Sequence, residues 1–316
     1  LLVTAEFEDG TRLTKRVDYT AMKIEGIITP IVTPFHRDER QSLNYEALHE
    51  LIDRLIEKGV SGIFILGRKC ESHVTTPDET VEMTEKTVKF VNHRVPVYVG
   101  TGGNSTYQVT ELSKRVEAAG ADALSVITPF FISPSEKELI HHYETVAAST
   151  KLPIVLYNIP KSTKINLSKE TVKTLARIEN IAAIKDSSGD MENLKGYVDA
   201  CQGTDMKVLV GSDSKIAPAI RLGAVGAIAG TSNVITDHVV ELYRTLMAGN
   251  QEKADKLQQE IEVIRAVLKK GTVPSVMKRS VELLGIPVGP ARLPVMELDP
   301  KVDDDIREML RFYHLI

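Results

Sequence analysis

From Gly26 onward the chain repeats one unit eight times: a short apolar run, a polar loop, then an amphipathic helical pattern. The apolar runs fall at 27–32, 62–66, 95–100, 123–127, 153–157, 181–184, 207–210 and 224–229. Helical periodicity fills the gaps, for example over 45–58, 77–91, 106–119, 136–148 and 169–178. In Glu-Lys-Gly-Val, Ala-Ala-Gly-Ala and Arg-Leu-Gly-Ala a glycine ends a helix and leads into the next run. Short apolar runs alternating with helices are the strands of a parallel sheet, and eight such units predict a closed (β/α)8 TIM barrel. A doubly wound open sheet would carry a Gly-x-Gly-x-x-Gly turn after its first strand. Thr33-Pro34-Phe35 stands there instead. Further helical patterns at 237–247, 252–268 and 275–284, with a short tail helix, exceed what a barrel needs and predict an additional C-terminal helical layer. The expected organisation is an N-terminal extension over 1–21, barrel strands and loops over 22–235, and the last barrel helix with the C-terminal helices over 236–316. Within the extension, weak alternation around Asp9-Gly10 predicts a small hairpin, or sequence appended upstream of a fresh start at Met22-Lys23.

The charge balance narrows the partners. A net charge of −4 argues against nucleic acid or an anionic membrane as the main partner. No apolar run approaches the ~18 residues of a membrane span, so no membrane partner is expected. Two cysteines, Cys70 and Cys201, make no disulfide framework, which predicts a reduced cytoplasmic setting.

One lysine stands out. Lys185 follows the apolar run Ile181-Ala182-Ala183-Ile184 and precedes Asp186-Ser187-Ser188-Gly189, which reads as a loop opening a helix. An amine leaving a buried strand is partly desolvated, and desolvation lowers its pKa toward nucleophilicity. In a barrel of this kind the C-terminal strand ends carry the chemistry, and Tyr157 ends the preceding strand. A lysine imine is an electron sink for breaking or making a carbon–carbon bond, and a phenol within reach moves the proton. Each residue alone has a plainer role: Lys185 as a snorkelling lysine paired with Asp186, and Tyr157 as a core aromatic bonded to backbone.

The chain resembles the dihydrodipicolinate synthase/N-acetylneuraminate lyase family. The resemblance rests on Tyr157-Asn158-Ile159-Pro160 and Ile184-Lys185-Asp186-Ser187, with Tyr157 and Lys185 28 residues apart. Supporting matches are Gly26-Ile27-Ile28-Thr29-Pro30, Leu66-Gly67, Glu71, Gly100-Thr101-Gly102, Gly211-Ser212-Asp213, Gly226-Ala227-Ile228, Pro274 with Lys278, and Gly285 with Arg292-Leu293-Pro294. It covers residues 23 to about 312. It implies a Schiff base on Lys185, Tyr157 as proton shuttle, pyruvate or another 2-keto acid as substrate, no metal and no organic cofactor, and assembly as a homotetramer or homodimer.

Three departures shape the substrate expectation. The family's carboxylate loop, Gly-(Thr/Ser)-Thr-Gly-Glu, reads Gly67-Arg68-Lys69-Cys70-Glu71 here. The lost threonine normally hydrogen-bonds the tyrosine phenol. Arg68 and Lys69 have three open roles: anchoring a carboxylate while lowering the Lys185 pKa, filling the pocket, or pointing to solvent. The synthases' arginine in Tyr-Asn-x-Pro-x-Arg-Thr is Ser162, and their Pro-Tyr-Tyr stretch is Pro129-Phe130-Phe131. The position after Asp213, acidic in the sialic acid lyases, is Ser214. The resulting expectation is a lyase or aldolase acting on a 2-keto-3-deoxy sugar acid, with pyruvate and an aldehyde as its fragments and Ser187, Asp213 and Ile228 lining the aldehyde end. The alternatives are a 4-hydroxy-tetrahydrodipicolinate (dihydrodipicolinate) synthase condensing pyruvate with aspartate semialdehyde, and a non-catalytic 2-keto-acid-binding relative with an altered pocket loop.

Other signals carry little. Gly100-Thr101-Gly102-Gly103 lacks the Gly-Lys-Ser/Thr of a phosphate loop. His141 and His142 are adjacent and cannot share one helical face for a metal. Cys70, in place of a glycine, is weak evidence for a reactive thiol. Asp303-Asp304-Asp305 reads as a helix start.

Overall fold

A computed structural model describes residues 2–6, 12–16 and 22–316. Strands β1 (Leu2–Glu6) and β2 (Arg12–Arg16) pair antiparallel with Thr4 opposite Thr14; the expected Asp9-Gly10 turn lies outside the described residues.

The eight expected strands form β3 (Gly26–Pro30), β4 (Gly62–Ile65), β5 (Val97–Gly100), β6 (Ala123–Ile127), β7 (Ile154–Asn158), β8 (Ile181–Asp186), β9 (Lys207–Val210) and β10 (Gly226–Ile228). They close in sequence order, all parallel, and β10 returns to β3 with Ala227 beside Ile27. The apolar runs decide this closure. Alternate residues point into the barrel, where Ile28, Phe64, Tyr98, Ala123, Val155, Ala183, Leu209 and Ile228 fill the interior. The other set packs against the surrounding helices. Each fully buried Val, Leu or Ile contributes roughly 1.5–3 kcal/mol.

Local signals set the helix ends. Asn44, Thr76, Ser105, Ser135, Ser168 and Asp190 cap helix starts through their side chains, Thr76 and Ser135 with the reciprocal Glu79 and Glu138 of a capping box. The helix-ending glycines Gly59, Gly120 and Gly223 have φ of +92°, +98° and +118°, a region closed to most side chains.

The extra C-terminal helices are present at Gln251–Leu268, Ser275–Leu283 and Val302–Phe312, after the barrel helix Thr236–Met247. Gln258 ties this layer to the barrel's upper rim. It accepts from the Ala217 N–H at 2.8 Å and donates to the Asp213 carbonyl at 2.9 Å. Among the described residues no helix is long and apolar enough to cross a membrane. Among them also, no group of three or more His, Cys, Asp or Glu is placed to hold a metal ion.

Candidate active site

The ladder runs further along β8 than the apolar run suggests. Lys185 sits inside the strand, directly beside Tyr157 of β7 and Leu209 of β9. Strand alternation turns Lys185 into the barrel and Asp186 outward. Asp186 is therefore not the partner of Lys185. Its carboxylate accepts from Asn158 Nδ2 at 3.1 Å, from the Ser188 N–H at 3.1 Å and from the Ser188 hydroxyl at 2.7 Å. The snorkelling arrangement is excluded, because Lys185 is only 5% exposed. Its Nζ lies 4.0 Å from the centroid of the Tyr157 ring and 5.6 Å from that of Phe64.

Burial pulls the Lys185 ammonium down to about 8, and Arg68 pushes the same way against Cys70 and Asp213. At neutral pH an appreciable fraction of the amine is then a free nucleophile. Burial also holds the Tyr157 phenol above its ordinary value, while the polar side chain of Ser187 and the positive charges of Lys69 and Arg68 draw it back. The phenol is thus protonated, and polar groups stand ready for the anion.

Lys185, Tyr157, Arg68, Lys69, Ser187, Asp213 and Ile228 all line one cavity of about 180 Å³ over the C-terminal strand ends. Two glycines make this crowding possible. At Gly211 a Cβ would lie 2.0 Å from Ser187 Oγ and 2.7 Å from Lys185 Cε. At Gly230 it would lie 2.9 Å from Lys69 Nζ, so Lys69 reaches across the mouth rather than out to solvent. Asp213 is buried; its Oδ2 accepts from the Thr231 N–H at 2.7 Å, while its Oδ1 and the Thr231 hydroxyl are buried with no partner among the described residues. Ile228 supplies an apolar wall.

The 67–71 loop that carries the two cations has an unusual backbone. Leu66 and Glu71 have φ of +57° and +64°, conformations that cost a non-glycine residue of order 1 kcal/mol or more. A buried clasp holds them. The Glu71 carboxylate accepts from Lys278 Nζ at 3.0 Å and from the Arg292 N–H at 2.7 Å, and Thr33 donates to the Cys70 carbonyl. Cys70 faces inward; burial pushes its thiol up to about 12, which leaves it unreactive.

The sequence did not point to Arg265 and Leu268. Both lie on the helix Gln251–Leu268 and close the cavity from the C-terminal layer. Their only sequence signal is membership of an amphipathic helix, and that says nothing about which surface the helix covers. Arg68, Lys69 and Arg265 also border an adjoining space of about 340 Å³ with Lys161 and Lys269, into which no Asp or Glu projects. Neither Arg68 nor Lys69 has a carboxylate partner among the described residues.

A model of the dihydrodipicolinate synthetase family matches residues 23–312. The 4-hydroxy-tetrahydrodipicolinate synthase of Methanoculleus marisnigri is 37% identical over 286 residues, covering 90% of this chain and 98% of the relative. That of Acetivibrio thermocellus is 36% identical over 291 residues, covering 92% and 98%. Among solved structures, a chloride-inhibited dihydrodipicolinate synthase of Acinetobacter baumannii complexed with pyruvate superposes with a TM-score of 0.88 at 31% identity, covering 93% of this chain and 100% of that one. YagE, a prophage protein of E. coli K12 in complex with pyruvate, gives 0.87 at 32% identity, covering 93% and 99%.

Proposed function

The chain belongs to the dihydrodipicolinate synthetase family of pyruvate-dependent, lysine-imine aldolases, and from that membership we propose that it is a 4-hydroxy-tetrahydrodipicolinate synthase, condensing pyruvate with aspartate semialdehyde on Lys185. Carbon–carbon lyase chemistry through a Schiff base is the family's activity. The observation that carries the assignment of roles is the pairing of Tyr157 with Lys185 across β7 and β8, with the amine 4.0 Å from the ring centroid.

In this reading the neutral Lys185 amine attacks the ketone carbon of pyruvate. Tyr157 gives its proton to the departing hydroxyl, water leaves, and an imine remains. Loss of a methyl proton converts the imine to an enamine, whose carbon attacks the acceptor aldehyde. Arg68 and Lys69 face the keto acid's carboxylate. The acceptor space supports a second negative charge: Arg68, Lys69, Arg265, Lys161 and Lys269 border it, and among the described residues Asp213 is the one carboxylate on the cavity beneath. Aspartate semialdehyde brings such a carboxylate, and the cations offset the absence of the synthases' arginine at Ser162. Glu262 already answers Arg265, but a neutral sugar aldehyde would leave the others without a counter-charge, so the sugar-acid reading takes second place to the one the relatives' names favour.

One observation keeps that second reading testable: the buried Asp213 Oδ1 and Thr231 hydroxyl, without partners among the described residues, suit a hydroxyl-bearing fragment. Family membership also supports a cytoplasmic homotetramer or homodimer. The exposed Tyr107, Phe131 and Ile132 supply apolar surface for such a contact.

Incubation with pyruvate and borohydride, followed by intact mass, tests the core of the proposal. A stable adduct is expected, lost in Lys185→Ala; no adduct at millimolar pyruvate would sink both aldolase readings and leave a non-catalytic binder. With an adduct in hand, turnover on aspartate semialdehyde but not on glyceraldehyde supports the synthase. The reverse preference makes the enzyme a sugar-acid aldolase.

A further inference from the structure

We propose that Asn158 and Asp186 are positioning residues: their side-chain hydrogen bond on the outer face of the barrel holds the ends of β7 and β8 together, and with them Tyr157 and Lys185 on the inner face. The inference rests on the lysine-imine reading. The two pairs are consecutive rungs of one ladder, Tyr157 beside Lys185 and then Asn158 beside Asp186. Strand alternation sends the second pair outward, onto the face where Leu156 and Ile184 pack against the helices two residues earlier. That face is apolar until the last rung and polar at it. Both polar residues are buried, at 0% and 1% exposure, and burying an amide and a carboxylate is costly unless their hydrogen bonds are made.

Here they are made, and they tie the two strand ends to the loops that follow. Asn158 Nδ2 donates to Asp186 Oδ1 at 3.1 Å and to Asn166 Oδ1 at 2.8 Å, while its Oδ1 accepts from the Leu167 N–H at 2.9 Å. Asp186 accepts from the Ser188 N–H at Oδ1 and from the Ser188 hydroxyl at Oδ2. Backbone pairing ends at this rung. Beyond Asn158 the chain enters a short helix at Pro160, which has no N–H to donate, and beyond Asp186 it turns at Gly189 with φ of +75°. The one backbone bond that follows runs from the Ser187 N–H to the Asn158 carbonyl at 2.8 Å. The side-chain network therefore stands where further rungs would otherwise keep the strand ends from splaying. The titratable groups that face Lys185 are Tyr157 from β7, Arg68, Lys69 and Cys70 from the 67–71 loop, and Asp213 from the loop after β9. Asp186 is turned away from it, so its role is mechanical rather than electrostatic.

Exchange of pyruvate methyl protons for deuterium, followed by proton NMR in D2O as a function of pH, tests the inference without any acceptor. Asp186→Ala is expected to lower the maximal exchange rate roughly 10- to 100-fold, the cost of a misplaced reacting group. The KM for pyruvate should stay within about three-fold, since Glu71 and Lys278 hold the 67–71 loop independently. Loosened strand ends admit water to Lys185, so the bend in the pH profile should move to higher pH than in the wild type. Asp186→Asn keeps the Oδ1 acceptor for Asn158 and the Ser188 N–H, and its amide can donate to the Ser188 oxygen. It should keep the rate within about three-fold and leave the bend in place. Tyr143→Phe, which removes a buried hydrogen bond to the Val126 carbonyl, controls for lost stability and should change neither. Ser188 is only partly buried, so Ser188→Ala spares the fold while freeing Asp186 Oδ2. It should lose about two- to five-fold with a smaller shift of the bend, and it decides alone if Asp186→Ala does not fold. An unmoved bend in the folded variants, a loss in Asp186→Asn equal to that in Asp186→Ala, or a matching shift in Tyr143→Phe overturns the inference. A wild-type enzyme that traps no pyruvate on borohydride reduction instead removes the imine reading and this inference with it.

Discussion

Replacing Lys278 with methionine should destabilise the protein far more than removing any surface charge. Lys278 Nζ is sealed from solvent and donates to the Thr33 carbonyl at 2.6 Å, the Pro290 carbonyl at 2.6 Å and the Glu71 carboxylate at 3.0 Å, over the face of Phe35 at 4.4 Å from its centroid. Burial outweighs the carboxylate and pulls its ammonium down to about 8, so the pair gains little over two solvated ions. Breaking it is another matter. Methionine fills much of the volume but leaves Glu71 as a buried anion with one backbone N–H, and leaves two carbonyls without donors. Removing one partner of a buried pair costs about 3–5 kcal/mol. At roughly 2 °C per kcal/mol for a chain of this size, Lys278→Met should lower Tm by about 6–10 °C. Adding Glu71→Gln removes the stranded charge and should recover at least half of the loss. Urea denaturation of the four proteins of the cycle at pH 7 measures both quantities. Because Glu71 holds the loop bearing Arg68 and Lys69, the single variant should also bind pyruvate more weakly in the same preparations. A loss below about 1 kcal/mol in Lys278→Met, or no recovery in the double variant, would refute the account of a charge stranded in a low-dielectric interior.

Two further outcomes follow from the site's electrostatics. The kcat/KM for pyruvate methyl exchange should rise tenfold per pH unit up to a bend near the Lys185 value of about 8 and then level off, because only the neutral amine attacks; a bend at the ordinary lysine value near 10.5 would mean that Lys185 is solvated in the working enzyme. Changing Arg68 and Lys69 together to threonine removes the Arg68 charge that favours the neutral amine, so the bend should move to higher pH and KM for pyruvate should rise several-fold. A bend that stays in place, with KM unchanged, would show that neither cation faces the substrate.

The barrel was legible because its strands are buried on both faces and so read as plain apolar runs, punctuated by caps and by glycines such as Gly59, Gly120 and Gly223 that the backbone needs at positive φ. The place where the reading stopped early is informative. The apolar run ends at Ile184, yet β8 continues through Lys185 and Asp186, held by Tyr157 on one side and Leu209 on the other. Polarity hides the end of a strand when that end turns polar side chains into a cavity. Lys185, Tyr157, Ser187, Asp213 and Ile228 line one cavity because they lie at or just beyond strand ends, which the topology brings together. Arg265 and Leu268 were not legible in the same way, since their place depends on how Gln258 docks one helix against the Asp213 loop. The Glu71–Lys278 pair spans 207 residues of sequence and has no periodic trace.

The cationic loop changes what the site can hold as well as how it binds. Burial first, and Arg68 after it, lower the pKa of the Lys185 ammonium and so make the neutral amine more available. A protonated imine restores the positive charge at the same place and meets the same repulsion. Asp213 offsets part of that repulsion, and a simple ketone or aldehyde brings nothing more. A 2-keto acid brings a carboxylate one bond from the new imine, which in the proposed pose would meet the cations of Arg68 and Lys69 and cancel a charge where it is most costly. The family's neutral hydroxyls could hold the same carboxylate by hydrogen bonds, but they would not penalise a substrate that lacks it. With Arg68 and Lys69 facing it, as proposed above, such a carboxylate should favour imine formation from 2-keto acids over simple ketones.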